Sequence, residues 1–322
     1  MGILGAAKIA PKAVIEPATR RDDCEIVCVA ARDSARARAY AAEHAIPEIA
    51  ESYEALIARP DIDLIYNALP PHRHADLTIA ALEAGKAVLC EKPFAMNAAE
   101  AKRMVDASAR TGRPLVEAFH YRFHPMFEEI LNQLRTGAIG KLCAIRSEFS
   151  VSIPYRPGEL RHDPALGGGA LMDLGCYALH WARVIAGSEP TVVEAHADLS
   201  AQGADLVTTA KLAFEEGVTA LVRTSMAPGQ RFKALLALKG TEGTLIARNP
   251  LHPHRGNSIA IRKGGTTRRY TVPGEATYDY QLAHMIDVMN GKTSPLTGGD
   301  DAVVTMALID AVYAAAGVPR PA

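Results

Sequence analysis

Two short segments carry side chains whose types and spacing suit proton-coupled chemistry. The first is Glu91-Lys92-Pro93. It follows Ala87–Cys90, an apolar run of strand character, and in open α/β sheets ligands bind at the carboxyl ends of the strands. A lysine there presents a cation at that rim, although a solvent-facing loop lysine paired with Glu91 is the plainer alternative. The Lys92-Pro93 bond is a candidate for the cis form, which about 5–6% of X-Pro bonds adopt. The second segment is Gly167-Gly168-Gly169-Ala170-Leu171-Met172-Asp173-Leu174-Gly175-Cys176-Tyr177-Ala178-Leu179-His180. Its three glycines predict a mobile approach to a helix. On that helix Asp173 and Tyr177 stand at i and i+4 and share a face, which His180 joins three residues on. A carboxyl, a phenol and an imidazole along one face of an apolar helix predict a lined pocket. For any one of them, a buried network that only ties helix to sheet is the alternative; the three together favour a site.

Gly5-Ala6-Ala7-Lys8-Ile9-Ala10 follows a predicted strand at Gly2–Leu4 and opens a helix. It has the form of a GxGxxG turn with alanine at the second and third glycine positions. The first glycine permits the tight turn, and the later positions need small side chains so that backbone and helix approach a pyrophosphate. Alone the match equally describes an ordinary strand-to-helix turn; its place at the first strand of an alternating pattern strengthens it. The second strand ends Ala30-Ala31-Arg32-Asp33-Ser34. An acidic residue at the tip would grip the ribose diol of NAD. Ala31 instead leaves room for a 2′-phosphate, and Arg32 can meet one bidentately, which favours NADP. Asp33 keeps NAD open, and Arg32 as a solvated charge is the bland alternative.

The elements that must position these residues fall into two patterns. In the first, strand-length runs at Gly2–Leu4, Glu25–Ala31, Leu64–Leu69, Ala87–Cys90 and Pro114–Phe119 alternate with predicted helices at Ser34–His44, Arg73–Ala84 and Asn97–Arg110. Asn97 with Glu100 three residues on is a helix start signal, and Gly85 and Gly112 sit where left-handed caps belong. Such alternation predicts a doubly wound parallel sheet. In the second, Leu142–Ser152, Thr191–Ser200, Asp205–Phe214, Val218–Met226 and Phe232–Ala237 alternate apolar and polar residues, Gly240-Thr241-Glu242-Gly243 reads as a hairpin connection into Thr244–Ala247, and Asn257–Lys263 and Arg268–Val272 form another expected strand pair. Period-2 runs with short turns predict a mostly antiparallel sheet with one buried face. Helices are expected near Ala165–Ala186 and Tyr278–Asn290, and a core-packed one at Ala302–Val318. The fold class is α/β, with an N-terminal domain over 1–121 and an α+β domain over 122–322.

Composition narrows the function classes. The chain has 322 residues, 48% apolar and 22% charged, with 35 Lys plus Arg against 36 Asp plus Glu. That is globular composition, with no electrostatic footprint for nucleic acid or an acidic membrane. No run reaches the roughly 18 apolar residues of a spanning helix, and no targeting segment is evident. Five cysteines without a CxxC motif predict a reducing compartment, hence the cytoplasm. The pairs His72/His74, His120/His124 and His252/His254 lack an HExxH or Cys/His cage, so no metal site is expected. Gly291-Lys292-Thr293 imitates the end of a phosphate loop but lacks the leading glycine, since position 286 is Ile.

Taken together, GILGAAKIA, VAARD, IYNALPPHRH, AGKAVLCEKPFA, AFHYRFHP and GGGALMDLGCYALH resemble the Gfo/Idh/MocA oxidoreductase family in order and spacing across nearly the whole chain. The block ending in EKP is the most specific. Tyr177 where much of the family has histidine looks most like the dimeric dihydrodiol dehydrogenase and D-xylose dehydrogenase branch. The resemblance implies a Rossmann domain, an open-faced antiparallel sheet that buries itself in a homodimer, NADP as cofactor, and a sugar, polyol or cyclic diol as substrate. It implies Lys92 and Tyr177 as the catalytic pair and Asp173 as the holder of a substrate hydroxyl. His180 would line the pocket. Asn67, Leu69, Pro70 and His74 match the cofactor loop after the fourth strand, and Glu91 and Lys92 border the nicotinamide ribose. Tyr121, Arg122, Tyr155, Arg156, Arg161 and His162 are further pocket candidates. Ala7 departs from the middle glycine, as it does in relatives of this branch.

A free tyrosine has a pKa of about 10, so an ionised one at pH 7 costs about 4 kcal/mol. A neighbouring Lys92 cation reduces that cost. Tyr177 is then the general acid/base with Lys92 tuning it, and the reverse assignment stays open. Three other readings share the fold: a sugar–sugar oxidoreductase with tightly bound NADP, a nicotinamide-dependent redox glycosidase, and a non-catalytic NADP sensor.

Overall fold

The alternating first third of the chain folds into a six-stranded parallel sheet of order β3-β2-β1-β4-β5-β6. Its strands are β1 (Gly2–Leu4), β2 (Cys28–Ala30), β3 (Glu48–Ile49), β4 (Leu64–Asn67), β5 (Ala87–Cys90) and β6 (Leu115–Glu117). The computed structural model describes residues 1–319 and divides into two units. The first comprises Met1–His120 with Tyr278–Val304, and the second Tyr121–Thr277 with Thr305 onward. The segment Tyr278–Val304 thus packs with the N-terminal unit, where Thr297 donates its hydroxyl to Glu117 O at 2.6 Å along the β6 edge. A π-helical turn (Pro11–Ile15) leads into α1 (Glu16–Ala18), followed by α2 (Ser34–Glu43), α3 (Tyr53–Ile57), α4 (His74–Glu83) and α5 (Ala98–Thr111). The N-terminal signal of α5 is realised: Asn97 Oδ1 accepts from the Glu100 N–H at 2.9 Å. Gly112 caps its end at φ +65°. The strand order reverses between β1 and β4, the switch point at which such sheets bind nucleotides.

The second unit carries an eight-stranded sheet of order β14-β13-β12-β11-β7-β10-β9-β8, antiparallel except for the β7–β10 pair. It runs β7 (Leu142–Ser150), β8 (Thr191–Leu199), β9 (Asp205–Ala213), β10 (Thr219–Ser225), β11 (Lys233–Gly240), β12 (Gly243–Arg248), β13 (Ser258–Lys263) and β14 (Thr266–Tyr270). Ile145, Ser147 and Phe149 face inward, where Ser147 Oγ donates to Ala178 O at 2.7 Å on the covering helix α7 (Cys176–Ala186). Trp181 on α7 is fully buried. Side chains of this kind contribute about 1.5–3 kcal/mol each on burial.

Two helical expectations change. Helix α6 (Pro125–Arg135) was not anticipated; Pro125 opens it, His124 Nδ1 accepts from the Met126 N–H at 3.0 Å, and Met126, Phe127 and Ile130 are buried. The helix expected over Ala165–Ala186 is interrupted. Pro164–Leu166 forms one 3-10 turn, positive φ at Gly167 and Gly169 breaks the chain, and a π-helical turn (Leu171–Gly175) precedes α7. The remaining helices are α8 (Thr277–Met289) and α9 (Asp300–Ala315).

Candidate active site

The carboxyl ends of the parallel strands gather the cofactor candidates of the first unit. After β1, Gly5 takes φ +98°, and a side chain there would meet Leu69 Cδ2 at 3.0 Å; glycine alone suits both the turn and the approach of the loop after β4. Ala6 and Ala10 are buried, Ala7 and Ile9 half-buried, and Lys8 exposed. Two side chains outside the motif hold this loop: Arg36 Nη2 donates to Ala6 O and Tyr40 Oη to Ala7 O, each at 2.9 Å. At the tip of β2, Ala31 is buried and Arg32 exposed. The Asp33 carboxylate accepts from the Ala35 N–H at 2.8 Å and caps α2. Tyr53 bonds the Arg32 main chain; burial raises its phenol, while the charges of Arg73, Arg32 and Arg36 pull it back down. Arg73, Arg32 and Arg36 therefore all lie near enough to Tyr53 for their charges to act on its phenol. Small residues at the turn and cations at the strand tip fit a phosphorylated dinucleotide.

The next two loops are tied to one another. Asn67 is fully buried and donates to Thr78 Oγ1 at 3.1 Å, while its Oδ1 accepts from the Leu69 N–H at 3.4 Å. Pro70 opens the turn into α4. The ring of His74 lies between Leu69 O (2.7 Å from Nε2) and Pro93 O (3.0 Å from Nδ1), and as a neutral imidazole it donates to one of them. Glu91 is buried and accepts from Tyr66 Oη at 2.6 Å and from the Lys92 N–H at 3.2 Å. The Lys92-Pro93 peptide is cis, and Lys92 is half-buried.

Burial pushes His74 down to about 4, and burial with the charge of His254 does the same to His124. Both are neutral in the native state. Below pH 6.5 the unfolded chain takes up protons that the native state refuses, so stability is full above that pH and falls towards pH 4. Each group costs about 3 kcal/mol over that interval. Thermal melts as a function of pH check this. In His124→Asn, which keeps a helix-capping acceptor, the fall should be about half that of the parent.

In the second unit, Tyr177 is buried among aromatic rings, with centroids at 5.8 Å from Phe149, 6.0 Å from Tyr121 and 6.4 Å from Trp181. Tyr121 Oη and His180 Nδ1 lie 2.5 Å apart, both buried. Asp173 sits in the π-helical turn, and its Oδ2 accepts from Arg161 Nε at 2.7 Å. Arg161 also pairs with Glu159. The other pocket candidates spread out. The Arg122 guanidinium lies over the Phe127 ring, Tyr155 and Arg156 are exposed, and buried His162 meets Ile153 O through Nε2 at 2.8 Å. The triple glycine is no mobile hinge. A Cβ on Gly168 would lie 2.5 Å from Leu160 O, and one on Gly169 2.2 Å from Asp205 Oδ1, so these glycines are places of close packing.

Comparison with known proteins agrees with this geometry. Residues 1–119 match the family model described as an oxidoreductase family with an NAD-binding Rossmann fold, and residues 127–246 match the GFO/IDH/MocA C-terminal domain. The chain is 34% identical over 319 residues to a D-xylose 1-dehydrogenase (NADP(+)) of Haloferax volcanii, covering 98% of this chain and 96% of that one. The chain belongs to the Gfo/Idh/MocA oxidoreductase family. Within that family it is also 32% identical over 333 residues to a trans-1,2-dihydrobenzene-1,2-diol dehydrogenase of Xenopus tropicalis, covering 99% and 98% of the two chains. A solved aldose–aldose oxidoreductase of Caulobacter crescentus, complexed with glycerol, superposes with a TM-score of 0.89 at 25% identity over 98% of this chain and 96% of its own. A 3-ketoreductase variant of Actinomadura kijaniata with NADP and TDP-benzene gives 0.90 at 25% identity, with the same coverages. The expected family, its fold class and its oxidoreductase character are thereby established. Among the described residues no group of three metal-ligating side chains is found, and no helix is long and apolar enough to cross a membrane.

Sequence reasoning overlooked four side chains that serve the oxidoreductase's cofactor unit: Arg36, Tyr40, Tyr53 and Tyr66. Arg36 had a signal, since it stands in the first turn of the helix expected from Ser34, directly after the strand tip. Tyr66 had none, because its bond to Glu91 depends on the β4–β5 register that sets Asn67 opposite Cys90.

Proposed function

We propose that the protein is an NADP(H)-dependent dehydrogenase/reductase acting on a CH–OH group of a sugar, polyol or cyclic diol. The observation that carries the cofactor choice is the strand-tip chemistry: Asp33 is committed to capping α2, while Arg32, Arg36 and Arg73 gather there. The substrate class is supported by the D-xylose and dihydrodiol dehydrogenase relatives. NADP, when bound, supplies the hydride acceptor or donor. The chain's part is the proton: Tyr177 Oη takes it from the substrate hydroxyl in oxidation and returns it in reduction. Lys92 is assigned as the other catalytic residue, and Asp173 accepts from a second substrate hydroxyl. Cofactor-reduction assays across aldoses, polyols and dihydrodiols, with NAD and NADP separately, test this. No turnover with any of the three classes would overturn it.

A second reading is a sugar–sugar oxidoreductase that keeps its NADP, favoured by the structural likeness to the aldose–aldose enzyme. It requires the purified protein to absorb in the nicotinamide band and to survive gel filtration loaded. The outer face of the eight-stranded sheet, with Leu221 and Val193 39% and 65% exposed, supports a homodimer through that face. Leu221→Glu is expected to convert the dimer to a monomer in light scattering, and an unchanged mass would discount this face. The cytoplasm is the compartment proposed.

A further inference from the structure

The Asp173 carboxylate is held from outside its own helix. Arg161 Nε donates to Asp173 Oδ2 at 2.7 Å, and Arg161 Nη1 donates to Glu159 Oε1 at 3.0 Å. The charge of Asp173 is the main reason the guanidinium is held above its ordinary value. The main chain repeats the link. Gly169 N–H donates to Arg161 O at 2.8 Å, and Asp173 N–H donates to Gly169 O at 2.9 Å, so one glycine joins both partners. Gly168 N–H fixes Asp163 O at 2.9 Å. This closeness requires glycine. A Cβ on Gly168 would press on Leu160 O (2.5 Å), Asp163 O (2.7 Å) and the Arg161 carbonyl carbon (2.8 Å). Gly168 does not take the left-handed φ, so alanine there is opposed by this contact and not by backbone strain.

We propose that Arg161 is a positioning residue: clamped by Glu159 and by the glycine turn, it fixes the orientation of the Asp173 carboxylate towards the substrate hydroxyl. This inference rests on the reading of Asp173 as a substrate contact. It takes Arg161 out of the set of groups that touch substrate and makes residues 159–163 a determinant of specificity acting through Asp173. An ion-pair hydrogen bond fixes direction more firmly than a neutral one. Its loss lets the carboxylate rotate, weakening substrate binding and leaving proton transfer at Tyr177 intact.

The experiment compares Arg161→Gln, Arg161→Lys, Gly168→Ala and Asp173→Asn, singly and with Asp173→Asn as background. It uses the most active substrate of the aldose, polyol and dihydrodiol screen. Arg161→Gln is expected to raise substrate KM about 10-fold, with kcat and the KM for NADP little changed. Arg161→Lys should recover most of that loss. Gly168→Ala, which keeps every charge, should raise KM in the same direction. In the Asp173→Asn background neither change should cost anything further, because a residue acting through another shows no effect once that other is removed. Additive losses would overturn the positioning role while leaving Asp173 as a substrate contact. An Asp173→Asn enzyme with unchanged kinetics would remove the substrate-contact reading itself. A variant that lowers kcat and melting temperature and raises the KM for NADP together would show Arg161 to be structural only.

Discussion

Tyr177→Phe is expected to lower kcat by about 10²–10⁴ while leaving the affinity for NADP unchanged, the range typical for loss of a positioned general acid or base. The substitution removes one oxygen from a ring already packed against Tyr121, Phe149 and Trp181. The ring stays, so the aromatic cluster and α7 should hold, and the melting temperature is the control. On the proposed assignment of Lys92 as the other catalytic residue, Lys92→Met should fall in the same direction. If Lys92 moves the proton directly and Tyr177 orients the substrate, the order of the two losses reverses. Pre-steady-state measurement of the chemical step separates these, since a slow product release would hide part of either loss in kcat. Turnover within about threefold of the parent in Tyr177→Phe would exclude the phenol from proton transfer, given that each 1.36 kcal/mol of barrier is tenfold in rate.

The parts of this fold that local chemistry determines were the parts readable in the chain. Asn97 and Gly112 bracket α5 because a cap needs only a side-chain acceptor at one end and a tolerated positive φ at the other. Runs of period two such as Asp205–Phe214 and Val218–Met226 became strands because alternate residues are buried along β9 and β10. What escaped depended on packing at a distance. The triple glycine reads as freedom in a sequence, since nothing local separates a glycine needed for motion from one needed for the lack of a Cβ. Only the carbonyls of Leu160 and Asp163, brought against Gly168 by the fold, decide the matter. The π-helical turn at Leu171–Gly175 escaped for a related reason: one residue of extra winding has no propensity signature. It places Asp173 on a turn wound differently from the α-helix that holds Tyr177, where one α-helix was assumed for their i, i+4 relation. Helix α6 was missed although Met126, Phe127 and Ile130 have helical spacing, because its start, a histidine cap before proline, gave no ordinary N-cap signal.

Cofactor preference separates the two arginines at the β2 tip by what else each one does. Arg32 is exposed and Arg36 is tied to the phosphate loop through Ala6 O. Arg32→Ala should therefore raise the KM for NADP by about 10–100-fold, the worth of one charged hydrogen-bonded contact, with the KM for NAD unchanged. Arg36→Ala loses the charge proposed for the 2′-phosphate and also the bond that holds the Ala6 carbonyl. Its cost should appear with both cofactors: a further few-fold for NAD, from a neutral-acceptor hydrogen bond, added to the loss specific to NADP. The two-cofactor comparison is thus a measurement of position as well as of preference. Equal losses with NAD and NADP in both variants would place the 2′-phosphate away from this strand tip. An Arg32→Ala enzyme that discriminates like the parent would shift the burden to Arg73, the remaining cation beside Tyr53. Asp33 offers the inverse test. Because its carboxylate is spent on the Ala35 N–H, Asp33→Ala should lower stability by about 1 kcal/mol and leave NAD use unimproved and unimpaired. A selective loss of NAD activity would mean that the cap opens to take the ribose diol.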